Sequence, residues 1–120
     1  MSAIDTSKIS FWQAHPNFNV RVAGSGERIT MLYAVAHPGA DSPEHKHPHE
    51  QIGYCLQGEA TYRIGDKTVL VKKDYTYLIP PNVPHSSKIT GKEDYVVIEV
   101  FSPSRPDLIR GEFAPEKLKK

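Results

Sequence analysis

The 120-residue chain has a single cysteine, Cys55. No intrachain disulfide can form, and a cysteine-rich zinc site is excluded. A lone thiol in an apolar stretch acts as a small buried hydrophobe, and a reducing, cytoplasmic setting is expected. An excess of one charge is also missing. Lys+Arg number 15 and Asp+Glu 14, for a net charge of +1, which lacks the basic surplus of a nucleic-acid binder. The basic cluster Lys117, Lys119 and Lys120 reads as a solvated tail. No apolar run reaches the roughly 18 residues of a membrane-spanning helix. Met1–Ser10 lacks the basic start and apolar stretch of a signal peptide. Helical periodicity is scarce as well. The helix candidate Pro115–Lys120 is too short to be stable alone.

Turn formers and strand formers are abundant. Ten prolines and eight glycines punctuate the chain at strand-and-turn spacing. Hydrophobic residues reach 38%, enough for a core. The pattern predicts strands over Phe18–Ala23, Ile29–His37, Gln51–Gln57, Ala60–Ile64, Thr68–Lys72, Thr76–Ile79, Ser86–Ile89 and Tyr95–Ser102. Gly58-Glu59, Gly65-Asp66-Lys67 and Lys73-Asp74 supply turns between them. Such an order suggests an all-β fold, a small antiparallel barrel or jelly roll. One domain is expected over 1–120, with its core at about 18–102.

The last strand can be read face by face. Val96, Ile98 and Val100 share one side, and Tyr95, Val97, Glu99 and Phe101 the other. A glutamate between Val97 and Phe101 marks either an exposed strand end or a carboxylate aimed into a pocket. In a pocket it needs a charged or hydrogen-bonding partner, and Arg63 and Lys88 are candidates.

Six histidines are present, and three of them lie within five positions, in Glu44-His45-Lys46-His47-Pro48-His49-Glu50-Gln51. In an extended strand His45 and His47 project from one face, with Cα atoms roughly 6.5–7 Å apart. Two imidazoles so placed can converge on one ion. Gln51 has the parity to add a third ligand, and His85, behind Pro80-Pro81-Asn82-Val83-Pro84, can add a fourth. His49 shares the parity and stays open as an alternative, as does the neighbouring Glu50. Pro48 cannot join a ladder, so an irregularity is expected there. A histidine-rich surface loop with no ion is the competing reading. His15 and His37 carry no such pattern and read as structural or surface residues.

With these residues in place, the chain resembles a small single-domain cupin. That family's first motif is glycine, five residues, H-x-H, three or four residues, glutamate, six residues, glycine. Gly39, His45, His47, Gln51 and Gly58 keep the spacing. In the second motif Asp74, Pro80, Asn82 and His85 keep theirs, with Asp74 and Asn82 in place of glycines and Ile89 in place of a final asparagine. Asn82 suits the left-handed backbone that a motif glycine often marks. The departure that matters is Gln51 where glutamate is usual. A neutral amide leaves a divalent ion its full charge, which favours an anionic substrate and non-redox chemistry.

The segments His45-Lys46-His47-Pro48-His49-Glu50-Gln51 and Ile79-Pro80-Pro81-Asn82-Val83-Pro84-His85 are also similar to cupins of the pectin-degradation type, which process unsaturated uronates. The late stretch Glu99-Val100-Phe101-Ser102-Pro103-Ser104-Arg105 matches as well, with Glu99 where that family has aspartate. The resemblance implies a double-stranded β-helix barrel. It implies one divalent ion (zinc, nickel, manganese or iron) held by His45, His47, Gln51 and His85. It implies conversion of a 4,5-unsaturated monouronate into its linear ketone. In that reading Arg105 clamps the substrate carboxylate, Glu99 moves a proton and Phe101 packs on the sugar ring. Competing roles are an Arg105–Asp107 surface pair and a core role for Phe101. The resemblance further implies a homodimer, with Val96, Ile98 and Val100 as a candidate contact. Two other classes stay open, an iron-dependent dioxygenase and a non-enzymatic ligand-binding cupin.

Overall fold

A computed structural model describes residues 3–109. Among them are β1 (Trp12–His15), β2 (Phe18–Ser25), β3 (Thr30–Ala36), β4 (Asp41–His45) and β5 (Glu50–Gln57). They are followed by β6 (Glu59–Ile64), β7 (Lys67–Lys72), β8 (Thr76–Ile79), β9 (His85–Ile89) and β10 (Tyr95–Ser102). Two single-turn 3-10 helices, Thr6–Lys8 and Pro106–Leu108, flank this set. The strands form a six-stranded sheet, β1-β2-β3-β10-β5-β8, and a four-stranded sheet, β4-β9-β6-β7. Neighbours pair antiparallel, and the result is the jelly roll that the turn spacing predicts. The helix candidate Pro115–Lys120 and its lysines lie outside the described residues.

Alternation of side chains decides which face is buried. In β10 Tyr95, Val97, Glu99 and Phe101 are all buried, while Val96, Ile98 and Val100 are half-exposed. β5 alternates likewise, with Gln51, Gly53 and Cys55 turned inward. Cys55 is a buried free thiol in the core, as a lone thiol should be. Its neighbours there include Ile79, Val71, Ile89 and Tyr95, all at most 2% exposed.

The glycine positions of the two motifs share one backbone property. Gly39 has φ 87°, Gly58 84°, Asp74 72° and Asn82 62°. Left-handed backbone is least costly for glycine, and Asn and Asp tolerate it because their short polar side chains bond locally. At Gly58 a side chain is also barred by space, since a Cβ there would lie 2.6 Å from the Asp94 carbonyl oxygen.

The sequence pattern predicts neither β1 nor β4. Trp12–His15 has no β-branched residue, and Asp41–His45 reads D-S-P-E-H, a turn composition. Both exist because a neighbour supplies the ladder. β1 lies on β2 at the sheet edge, and β4 lies on β9, where His45 pairs with His85. β4 carries Pro43 and an irregular register between Ser42 and His45, as expected of an edge strand.

Candidate metal centre

The expectation that His45, His47 and Gln51 follow one another along a single strand is not met. β4 ends at His45, and His47 lies in the irregular link around Pro48. Gln51 then enters β5 in the other sheet. The four residues still converge. The link turns the chain from one sheet to the other, so the site sits between the two layers. His45 and His85 come from paired positions of the four-stranded sheet. Gln51 comes from the six-stranded sheet, opposite Phe101. The turn before β9 is tied to the histidine link, since Asn82 N–H donates to the His47 carbonyl at 2.8 Å.

Each imidazole is held by the same local device. The Nδ1 of His45 bonds the Pro43 carbonyl at 2.8 Å. The Nδ1 of His85 bonds the Val83 carbonyl at 2.9 Å, and that of His47 the His49 carbonyl at 3.0 Å. A carbonyl only accepts, so Nδ1 carries the proton in all three. In a neutral ring Nε2 is then a bare lone pair. Burial favours the neutral form. It lowers the pKa of His85 to about 4, assisted by the nearby His45 and His47, and it lowers that of His47, assisted by Arg105.

The donor set fits a divalent cation. The ligand atoms of His45, His47 and His85 all lie within 4.8 Å of one another. His85 Nε2 is buried without a hydrogen-bond partner. His47 Nε2 faces Gln51 Oε1 at 3.1 Å, so two lone pairs confront each other with no proton between them. Buried acceptors without donors are costly, and a cation shared among them removes the cost. Three imidazoles and one amide oxygen suit zinc, iron, manganese or nickel.

Around this cluster is a cavity of about 350 Å³. Its walls include Trp12, Leu32, Ser87, Glu99, Phe101 and Arg105. Arg105 makes the ion pair with Asp107 that was its competing reading. Its Nε and Nη2 donate to Asp107 at 3.4 and 2.8 Å, and its guanidinium stacks on Phe101, 4.8 Å from the ring centre. That engages one edge of the guanidinium and leaves Nη1 outside the pair. Phe101 is 3% exposed, belongs to the core and meets the His47 ring edge-on at 5.6 Å.

Glu99 points inward, at 8% exposure. Neither Arg63 nor Lys88 is its partner. Its Oε2 accepts from Gln51 Nε2 at 2.8 Å and from the Tyr77 hydroxyl. Burial raises its pKa, against the lowering effect of the Tyr77 bond.

The alternatives fall away from the cluster. Glu44 and Glu50 are exposed, and Glu50 precedes Gln51 on the outward parity of β5. His49 stands outside the three-histidine group; its backbone carbonyl, by contrast, anchors His47. His37 is at the surface, paired with Asp94 at 2.8 Å, and His15 packs against Phe18. Contributors that were not legible as site residues include Tyr77 and Trp12. The signal for Tyr77 was present, because Gly53 interrupts an otherwise large-residue strand, which marks a close approach.

Comparison with known proteins gives a consistent picture. A family profile described as "Cupin domain" matches residues 32–101, which include all the motif positions. A Bacillus subtilis protein named H2HPP isomerase is 27% identical over 96 residues, covering 79% of this chain. The match covers 39% of that relative's length, so this chain corresponds to well under half of it. Among solved structures, KdgF from Halomonas sp. aligns with a TM-score of 0.81 at 21% identity, over 88% of this chain and 98% of that one. An RmlC-like cupin from Shewanella frigidimarina aligns at 0.80 and 19% identity, over 89% and 95%. At these identities the structural likeness is one of fold.

The lone-pair cluster makes thermal stability depend on metal. A divalent ion at about a hundredfold excess over its Kd stabilises the folded state by about 2.7 kcal/mol. Differential scanning fluorimetry of chelator-treated protein is expected to show a rise in Tm on adding zinc or manganese. His85→Ala is expected to show little or none. An equal rise in both proteins would contradict the site.

Proposed function

The chain belongs to the cupin domain family, and from that premise we propose a metal-dependent enzyme that converts 4,5-unsaturated monouronates into linear ketonised sugar acids. The carrying observation is the union, in one cavity, of an uncharged donor set with the Arg105 guanidinium. One divalent ion per chain would be held by His45, His47, His85 and Gln51. When bound, it retains its full charge and supplies Lewis-acid stabilisation of negative charge developing on a sugar oxygen. The resemblance of the H-x-H-P-H-E-Q and I-P-P-N-x-P-H segments to uronate-processing cupins supports this substrate class. So does the cavity, whose volume lies near the small end of the usual ligand-pocket range of about 300–1,000 Å³, suiting a monomer.

The residues divide the work. Arg105 presents its Nη1 side to the substrate carboxylate while Asp107 holds the opposite edge. Phe101 gives the ring a flat apolar wall and keeps water from it. Glu99 Oε1, outside both hydrogen bonds made by Oε2, handles the proton. The anomeric hydroxyl loses a proton as the ring C–O bond breaks. The resulting enolate gains that proton at carbon 4 and becomes the ketone, so no atom or electron is gained or lost overall. The buried thiol Cys55 suits a reducing compartment, and we place the reaction in the cytoplasm.

A second copy of the chain is part of this reading. Ile52, Leu78 and Met31 are 48%, 52% and 41% exposed and share the outer face of the six-stranded sheet with Val96, Ile98 and Val100. Covering that face would bury an apolar surface that monomers rarely leave open.

Two measurements follow. Metal-loaded protein mixed with unsaturated galacturonate is expected to remove the absorbance of the conjugated double bond without consuming oxygen. Arg105→Ala is expected to lower kcat/KM about 10- to 150-fold, since hydrogen bonds to a charged partner are worth about 1.5–3 kcal/mol. Glu99→Gln is expected to lower kcat. Oxygen uptake with bound iron would point instead to a dioxygenase, and ligand binding without turnover to a binding protein. In light scattering, wild type is expected at twice the mass of one chain and Ile52→Glu/Leu78→Glu at one. A monomeric wild type would remove the dimer.

A further inference from the structure

Gln51 can serve as a ligand only if its amide is turned the right way, because its oxygen end donates a lone pair and its nitrogen end does not. A free amide swings through 180° at small cost. Here both amide hydrogens are spoken for. Nε2 donates to Glu99 Oε2 at 2.8 Å and to the Tyr77 hydroxyl oxygen at 3.1 Å. The Tyr77 hydroxyl in turn donates to the same Glu99 oxygen. The three groups close a ring of hydrogen bonds in which the nitrogen end of Gln51 has one allowed direction. Oε1 is thereby aimed at His47 Nε2, 3.1 Å away.

This ring depends on an empty position in the sheet. Glu99 pairs with Gly53, and Gly53 with Tyr77, so the three lie in one row across β10, β5 and β8. Strands sit about 4.8 Å apart, which puts Glu99 and Tyr77 about two strand spacings from each other. Their side chains meet only by crossing over Gly53. The Tyr77 ring lies directly on that glycine. A Cβ there would sit 2.1 Å from Tyr77 Cε2 and 2.3 Å from Cζ. Any other residue at 53 pushes the ring away. Tyr77 and Glu99 are both buried, so no water replaces the lost partner.

We propose that Tyr77 is a positioning residue: seated over Gly53, it locks Gln51 through Glu99 so that the amide presents oxygen to the cation. The inference rests on the metal centre and is independent of the uronate substrate. It also gives Glu99 two separate duties, with Oε2 holding Gln51 and Oε1 facing the reaction.

The test is a double-mutant cycle on metal affinity. Cobalt(II) binding is measured by chelator competition, and its visible absorption is recorded for each protein. Tyr77→Phe keeps the ring and removes the hydroxyl. It is expected to weaken cobalt binding about 10- to 100-fold, the usual effect of losing a group that orients a ligand, and to alter the spectrum. In a Gln51→Ala background the same change is expected to have little further effect. Gly53→Ala is expected to resemble Tyr77→Phe, with far-UV circular dichroism confirming a folded chain. Unchanged affinity and spectrum in Tyr77→Phe would overturn the proposal. So would an equal loss in the Gln51→Ala background, which would show that Tyr77 acts elsewhere. Wild type that binds no cobalt would remove the metal centre itself, a different failure.

Discussion

Three Nδ1–H···O=C bonds govern the chemistry of this molecule. Each ties an imidazole to a carbonyl two residues away, at Pro43, Val83 and His49. Together they fix the tautomer of every ring and turn three Nε2 lone pairs toward a common point. Without these bonds the rings could rotate, exchange tautomers and satisfy themselves locally. With them, the interior holds acceptors that lack donors, a condition a cation relieves. The pKa of His85 is depressed to about 4 by burial, against the raising effect of its bond to the Val83 carbonyl, with the neighbouring His45 and His47 adding to the fall.

The barrel supplies what the bonds cannot, namely distance. Two histidines come from paired positions on one sheet, and the amide from the facing sheet. The Asn82–His47 backbone bond holds the two loops to each other. None of the four candidate ligands is a carboxylate, so a divalent ion held by them would keep its full charge in a cavity already bearing Arg105. The ring of hydrogen bonds formed by Gln51, Tyr77 and Glu99 explains how a neutral ligand of low intrinsic affinity holds its orientation.

Much of this was legible in the sequence, and the losses have physical reasons. Strands with strong alternation, such as Thr76–Ile79 and Tyr95–Ser102, appear with the expected bounds, because one buried face dictates their register. The face that Glu99 shares with Val97 and Phe101 left two readings open, an exposed strand end or an inward carboxylate, and its burial decides for the second. β4 was invisible because its polar, proline-bearing residues carry no strand preference and depend on β9. The parity argument from His45 to Gln51 wrongly assumed an extended strand, while the irregularity expected at Pro48 is present. Convergence survived that error because coordination needs side-chain ends to meet, whichever strands carry them. Gly53 signalled a close approach, but local pattern does not say which residue approaches, and the partners of Tyr77 lie 22 and 26 positions away in the chain.

The central claim is that one cation binds where His45, His47, His85 and the Gln51 amide oxygen converge. The direct measurement is anomalous diffraction from crystals of the zinc-loaded protein, collected on both sides of the metal absorption edge. One strong peak per chain is expected, within about 2.0–2.2 Å of all three Nε2 atoms and bonded to Oε1 of Gln51. A peak bound to His49, Glu44 or Glu50, or no peak between the two sheets, would contradict it.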